Sequence, residues 1–255
     1  MPYQFATERP DYSDLASGRV FYNLPGHPAF PVRLADEVLQ RCLAIRAENH
    51  LTSPCTLFDP CCGAAYHLGI LGYLHWEAFR EIIGSDVDPD SVRAAEKNLG
   101  LLSLTGMDHR IREIEEMFQQ YGKESHQKAL DSALRLKEKI SAFANVHLLR
   151  VRTFQANALD RDQLQEKLNN TTIDIVFADV PYGQHSQWTL PNSNKTSDDP
   201  LWQMLDTLLG IISPHSIVAI ASDKGQKAQH EKYQRLQQFQ VGKRRVVILK
   251  LKMDS

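Results

Sequence analysis

The chain lacks both common glycine-rich nucleotide fingerprints. Neither G-x-G-x-x-G nor G-x-x-x-x-G-K-[ST] occurs, which excludes the usual dinucleotide and triphosphate cradles. Cysteine is scarce: Cys42, Cys55, Cys61 and Cys62 include no C-x-x-C pair, and two are adjacent. Neither a zinc site nor a disulfide framework is therefore expected, and a reducing cytoplasm is the expected compartment. No apolar run reaches about 18 residues, so no membrane span is expected. Residues 1–14 are polar and aromatic with no apolar centre, so no secretory leader is expected. The net charge is −2, so a nucleic-acid surface has to come from how charge is distributed and not from its total. Internal repeats of 20–50 residues are absent as well.

What is present is an alternation of strand and helix patterns in a chain of 255 residues, long enough for one sizeable core. Residues 1–31 read as an extended arm with proline and glycine turns. Leu34, Ala35, Val38, Leu39, Cys42 and Leu43 then recur at helical spacing. Strands are predicted at 55–58, 81–85, 146–154, 173–178 and 216–221. Helices are predicted at 66–76, 89–101, 161–168 and 201–212, with Asp88 as N-cap and Pro89 in the first turn of the second of these. The pattern predicts an α/β fold: a doubly wound, mostly parallel sheet. Residues 233–241 and 244–252 flank Gly242-Lys243 and predict an antiparallel C-terminal hairpin, for seven strands in all. The expected organisation is an N-terminal arm and helix over 1–50, packing on a core domain over 51–255. A helical insertion at about 105–143 interrupts that core, with seven basic and seven acidic residues, and reads as a helical hairpin.

In an open parallel sheet, ligands sit at the carboxyl ends of strands. Three strand ends carry chemistry here. Asp59-Pro60-Cys61-Cys62-Gly63-Ala64-Ala65-Tyr66 joins the first strand to a helix, and Gly63 lets backbone approach a ligand closely. Gly84-Ser85-Asp86-Val87-Asp88 closes the second strand with a carboxylate where a ribose diol is gripped, with Asp88 doubling as a helix cap. Asp179-Val180-Pro181-Tyr182-Gly183 closes the fourth. A carboxylate, a rigid turn and an aromatic ring suit a planar amine held by hydrogen bonds and stacking.

As a set, these residues resemble the class I S-adenosylmethionine-dependent methyltransferases. The resemblance implies that Asp59, Pro60, Cys61, Gly63 and Tyr66 form the first cofactor motif. It implies that Asp86, with Val87 and Asp88, grips the ribose, that Asn157 and Ala158 lie near the adenine, and that Asp179 also borders the cofactor. Asp179, Val180, Pro181 and Tyr182 are similar to the [DN]-P-P-[YFW] motif of enzymes that methylate exocyclic or amide nitrogens. A closer resemblance, carried also by Pro28-Ala29-Phe30-Pro31-Val32-Arg33 and Lys97-Asn98-Leu99, is to the avilamycin-resistance (AviRa-like) ribosomal RNA methyltransferase family. It implies S-adenosylmethionine as cofactor and a guanine in large-subunit ribosomal RNA as substrate, methylated at its exocyclic N2. Resistance to orthosomycin antibiotics is one role it suggests.

Three departures from the pattern stand out. Ala64-Ala65 replaces a small residue and glycine: if position 65 needs positive φ, alanine costs about 1 kcal/mol and its methyl crowds the cofactor. Val180 replaces a proline, and Asn157 replaces an acid. The residues from 223 to 252 include nine basic and two acidic side chains. That segment, with Arg33, Lys243, Arg244 and Arg245, is the expected RNA surface of an expected monomer. Phe30, His185 and Trp188 are candidates for the cavity entrance. The alternatives are methylation of a protein glutamine or of DNA adenine, and a non-catalytic RNA-binding assembly factor.

Overall fold

The structure, a computed structural model, describes residues 3–26, 28–180, 188 and 199–252. Its strands are β1 (Cys55–Asp59), β2 (Phe79–Asp86), β3 (Arg150–Gln155), β4 (Ile173–Asp179), β5 (Ile212–Asp223), β6 (Tyr233–Val241) and β7 (Arg244–Leu251). Its helices are α1 (Val32–Glu48), α2 (Tyr66–Leu74), α3 (Pro89–Gly100), α4 (Leu104–Tyr121), α5 (Glu124–Ala144), α6 (Arg161–Leu168) and α7 (Pro200–Leu208). The strands form one sheet in the order β3-β2-β1-β4-β5-β7-β6. All pairings are parallel except those of β7 with β5 and β6. The doubly wound fold and the antiparallel hairpin are as the sequence predicts. β7 inserts between β5 and β6, so β6 becomes the edge strand.

β1 is buried along its whole length, because helices cover both faces of the sheet. On one face Leu57, Ile82, Phe177 and Ile248 meet α1, α2 and the α4–α5 pair. On the other, Phe58, Ile83, Val176 and Val247 meet α6 and α7. The third strand starts at Arg150, not at 146. Val146 and Leu148 are 76% and 79% exposed, so their apolar character marks a surface turn. None of the described helices is long and apolar enough to cross a membrane.

The insertion is the predicted helical hairpin, turned at Gly122 with φ of 61°. Its charges hold the N-terminal arm. Arg110 Nε donates to the Val20 carbonyl at 2.8 Å, Tyr22 Oη donates to Glu113 Oε2 at 2.7 Å, and Arg135 clasps Asp14. On α1, the buried Glu37 carboxylate accepts the backbone N–H groups of Gln4, Phe5 and Ala6. Arg33 likewise turns back on the arm: Nε donates to Ala6 and Nη2 to Thr7, and its guanidinium lies 4.0 Å over the Tyr3 ring. That geometry ties Arg33 to the arm, with two of its donors taken by backbone carbonyls.

Candidate functional site

The strand order reverses between β1 and β4, and the carboxyl ends of these strands splay apart to leave a crevice. A cavity of about 390 Å³ lies there, within the size range of small-ligand sites. Pro60, Cys61, Gly63, Tyr66, Asp86, Val87, Asp88, Asn157, Ala158, Asp179 and Val180 all line it. Residues predicted from four separate strand ends therefore surround one space. Pro181, Tyr182 and His185 lie outside the described residues.

Asp59 is fully buried beneath the cavity and does not line it. Its Oδ1 accepts the Cys61 N–H at 2.8 Å, so it shapes the turn that follows. Its Oδ2 stands 3.1 Å from His67 Nε2, off hydrogen-bonding alignment. Gly63 has φ of 52° and Ala65 also has φ of 52°, both in the left-handed region. The alanine thus takes the strained conformation, at about 1 kcal/mol. Its side chain is fully buried in the core and does not line the cavity, so the expected crowding of the ligand does not occur. A Cβ on Gly84 would come within 3.0 Å of Cys62 Sγ, which is why a glycine in β2 lets this turn approach. Burial raises the Cys61 and Cys62 thiols well above their ordinary range, so neither is a nucleophile at neutral pH.

Asp86 ends β2. Its Oδ2 accepts the Gly63 N–H at 2.9 Å and its Oδ1 the Asp88 N–H at 3.0 Å. The carboxylate fixes the first turn while its remaining lone pairs stay available. Burial raises its pKa and the two backbone donors lower it, with a net upward shift. Asp88 has the rival role: its carboxylate accepts Asp90 N, Ser91 N and Ser91 Oγ as the cap of α3. Of the two aspartates, Asp86 is the better placed to grip a diol. Beyond β3, Asn157 shapes its own turn by accepting the Leu159 N–H at 3.0 Å. Tyr66 lines the cavity, and its hydroxyl donates to the Leu15 carbonyl at 2.6 Å.

Asp179 ends β4, and burial pushes its pKa up to about 6 despite Arg244 and His67, which lower it. Arg244 Nη2 lies 3.8 Å from its Oδ2. Its Oδ1 is buried and has no hydrogen-bond partner among the described residues. A half-satisfied buried carboxylate facing a cavity is poised to accept a hydrogen bond from a ligand. Val180 is tied to β5 by its N–H, which donates to the Ala221 carbonyl at 3.0 Å. Phe30, His67 and Phe177 form an aromatic cluster beside the carboxylate, with centroids 5.1–5.7 Å apart. Phe30 and Trp188 both line the cavity.

Sequence reasoning missed one wall and its anchor. Tyr22, Asn23, Leu24 and Gly26 of the arm line the cavity, whereas the α4–α5 insertion contributes no lining residue. Asn98 of α3, fully buried, bonds both the Tyr22 backbone N–H (2.7 Å) and carbonyl (3.1 Å), and donates to the Ala64 carbonyl at 2.8 Å. One side chain therefore joins the arm to the first turn. His67 was also missed. The signal for both was a polar residue at a position that shares the buried face of its helix. Among the described residues no group of three or more His, Cys, Asp or Glu side chains could hold a metal.

Two features fit S-adenosylmethionine, an acid at the end of β2 and a left-handed glycine at the first turn, and the unsatisfied carboxylate at the end of β4 fits a methyl acceptor beside it. The family model described as rRNA methyltransferase AviRa matches residues 1–244. A Streptomyces viridochromogenes protein named 23S rRNA (guanine(2535)-N(1))-methyltransferase is 37% identical over 248 residues, 97% of this chain and 95% of the relative. Two solved structures of the rRNA methyltransferase aviRa from the same organism superpose with TM-scores of 0.86 and 0.85. Each is 36% identical and covers 98% of this chain and 96% of its own.

Proposed function

The chain belongs to the AviRa family of rRNA methyltransferases, and from that premise we propose that it methylates N1 of a guanine in large-subunit ribosomal RNA. Its methyl donor is S-adenosylmethionine, which supplies an electrophilic methyl group on a sulfonium when bound. The observation that carries the reading is the single cavity shared by Gly63, Asp86 and Asp179.

Gly63 and Asp86 would hold the donor, the glycine by close backbone approach and the acid by accepting from the ribose hydroxyls. Asn157 and Ala158 would flank the adenine. Asp179 would meet the guanine. The ring N1–H must lose its proton for N1 to act as a nucleophile, so this acceptor calls for a base. A buried carboxylate with a pKa of about 6 is mostly ionised at pH 7 and receives that proton on Oδ1. Exclusion of water and fixed placement supply the rest of the rate.

The name of the 37% identical relative favours N1 over the N2 implied by the Asp179-Val180-Pro181-Tyr182 motif. N2 is kept as the second reading because of Asp179 Oδ1: a guanine edge presents N1–H and N2–H₂ side by side, and one carboxylate accepts from both. In either case the base has to be unpaired or flipped out, since a duplex hides this edge.

The backbone track is read from β7. Arg244 pairs with Asp223, so the Gly242-Lys243 turn lies at the carboxyl end of the sheet with the cavity. Exposed Lys224, Lys227 and Lys243 stand at that rim. A groove of about 520 Å³ lined by Lys227, Arg235 and Arg245 continues from it. Phosphates would follow these cations, and binding would weaken as salt rises. Avilamycin-type resistance is part of the reading, tested by drug susceptibility with and without the gene.

Labelled methyl transfer to ribosomal RNA followed by primer extension tests the assignment. N1 methylation blocks Watson–Crick pairing and gives a strong stop. N2 methylation lets extension continue and would shift the reading to the amine. Transfer to protein or DNA alone would overturn it.

A further inference from the structure

The Asp179 carboxylate is asymmetric. Oδ1 is buried without a partner among the described residues, and Oδ2 faces Arg244 Nη2 at 3.8 Å. Arg244 is the first residue of β7, opposite Asp223 at the end of β5, so the antiparallel strand delivers its side chain across β5 to β4. That side chain is only 18% exposed. Its guanidinium lies 5.0 Å over the ring of Phe30, which itself lines the cavity. An arginine in the middle of a basic segment reads from sequence as a phosphate contact. Its neighbours, exposed Lys243 and groove-lining Arg245, keep that reading, while Arg244 is drawn inward.

We propose that Arg244 is a positioning residue for methyl transfer, holding Oδ2 of Asp179 so that Oδ1 is presented to the guanine edge. The inference rests on the reading of Asp179 as the acceptor of the guanine proton. The groups acting on that carboxylate come from several elements. Arg244 from β7 and His67 from α2 favour its ionised form, and Asp59 at the end of β1 disfavours it. Cys61, in the turn after β1, is buried and neutral. Burial is the largest influence and raises the pKa; Arg244 is the largest that lowers it. Without Arg244, burial and Asp59 act against His67 alone, and the carboxylate holds its proton at neutral pH. The Phe30 ring keeps the planar guanidinium in place by a cation–π contact that a lysine ammonium matches less well.

The test compares wild type, Arg244→Met and Arg244→Lys, with folding checked by circular dichroism. The first readout is the pH dependence of kcat/KM for methylation of ribosomal RNA. Arg244→Met moves the acidic limb upward by about two pH units and so lowers the rate at pH 7 by about tenfold, with recovery toward pH 9. Arg244→Lys keeps most of the wild-type profile. The second readout needs no activity: the ¹³C carboxyl resonance of Asp179, assigned by its loss in Asp179→Asn, titrates at higher pH in Arg244→Met than in wild type. If wild type does not methylate RNA but this resonance moves, the proposed function fails while the pairing stands. An unmoved limb and resonance, with a raised KM for RNA and a shallower salt dependence, would make Arg244 a phosphate contact and overturn the inference. If Arg244→Met does not fold, an unshifted Asp179 titration in Arg244→Gln overturns it equally.

Discussion

The backbone N–H of Gly63 donates to Oδ2 of Asp86 at 2.9 Å, so the carboxylate that ends β2 also fixes the turn that ends β1. Two strand ends are thereby made into one rigid edge of the cavity. Asp86→Ala removes the ribose acceptor and leaves the Gly63 and Asp88 N–H groups unpaired. Hydrogen bonds to a charged group are worth about 1.5–3 kcal/mol, so affinity for S-adenosylmethionine falls about 10- to 100-fold. Isothermal calorimetry reads this directly, and an unchanged affinity would remove Asp86 from the cofactor site.

Ala65 sits at φ of 52° with no exposed surface. A β-branched residue there meets both the steric cost of the left-handed region and a filled core. Ala65→Val is expected to lose about 2–4 kcal/mol in urea denaturation. Ala65→Gly leaves cofactor affinity unchanged, because the methyl faces the core; a large gain in affinity would contradict that placement.

Asn98→Ala cuts the link between the arm and the first turn. It orphans the Tyr22 N–H and the Ala64 carbonyl, both partners of the lost amide. A loss of about 2–4 kcal/mol is expected, with faster proteolysis near residue 22 than elsewhere in the chain. Uniform protease resistance would show that the arm is held by other contacts.

Asp179 gives a pH signature in stability. Its folded pKa, about 6, lies above its ordinary value of 3.8. A carboxylate raised in this way opposes folding above its folded pKa, and the opposition disappears as pH falls below its ordinary value. Asp179→Asn is therefore more stable than wild type at pH 7, by up to about 3 kcal/mol, and the difference closes toward pH 4. Denaturant midpoints across this range check it; a constant difference would mean that the carboxylate is not raised.

Most of the sheet was legible in the sequence, since β1, β2 and β4 are short apolar runs that each end in aspartate, at Asp59, Asp86 and Asp179. Asp86 and Asp179 line the cavity and Asp59 marks the turn whose Pro60, Cys61 and Gly63 do, because a parallel sheet gathers its strand ends on one side. The arm was not legible as a wall. Tyr22 and Leu24 reach the cavity through Asn98, 76 residues from Tyr22, and no local spacing encodes such a contact. The partners of Arg33 and Arg244 were not legible for one reason: sequence records a charge but not what it faces, here the Ala6 carbonyl and the Asp179 carboxylate.

The central claim is that Asp179 serves the guanine and not the methyl donor, and one paired measurement on Asp179→Ala tests it most directly. Calorimetry with S-adenosylmethionine and single-turnover methylation of ribosomal RNA are run on the same preparation. The expected result is donor affinity within about threefold of wild type and a methylation rate reduced by about 10³-fold or more. Retained methylation, or loss of donor binding, would contradict it.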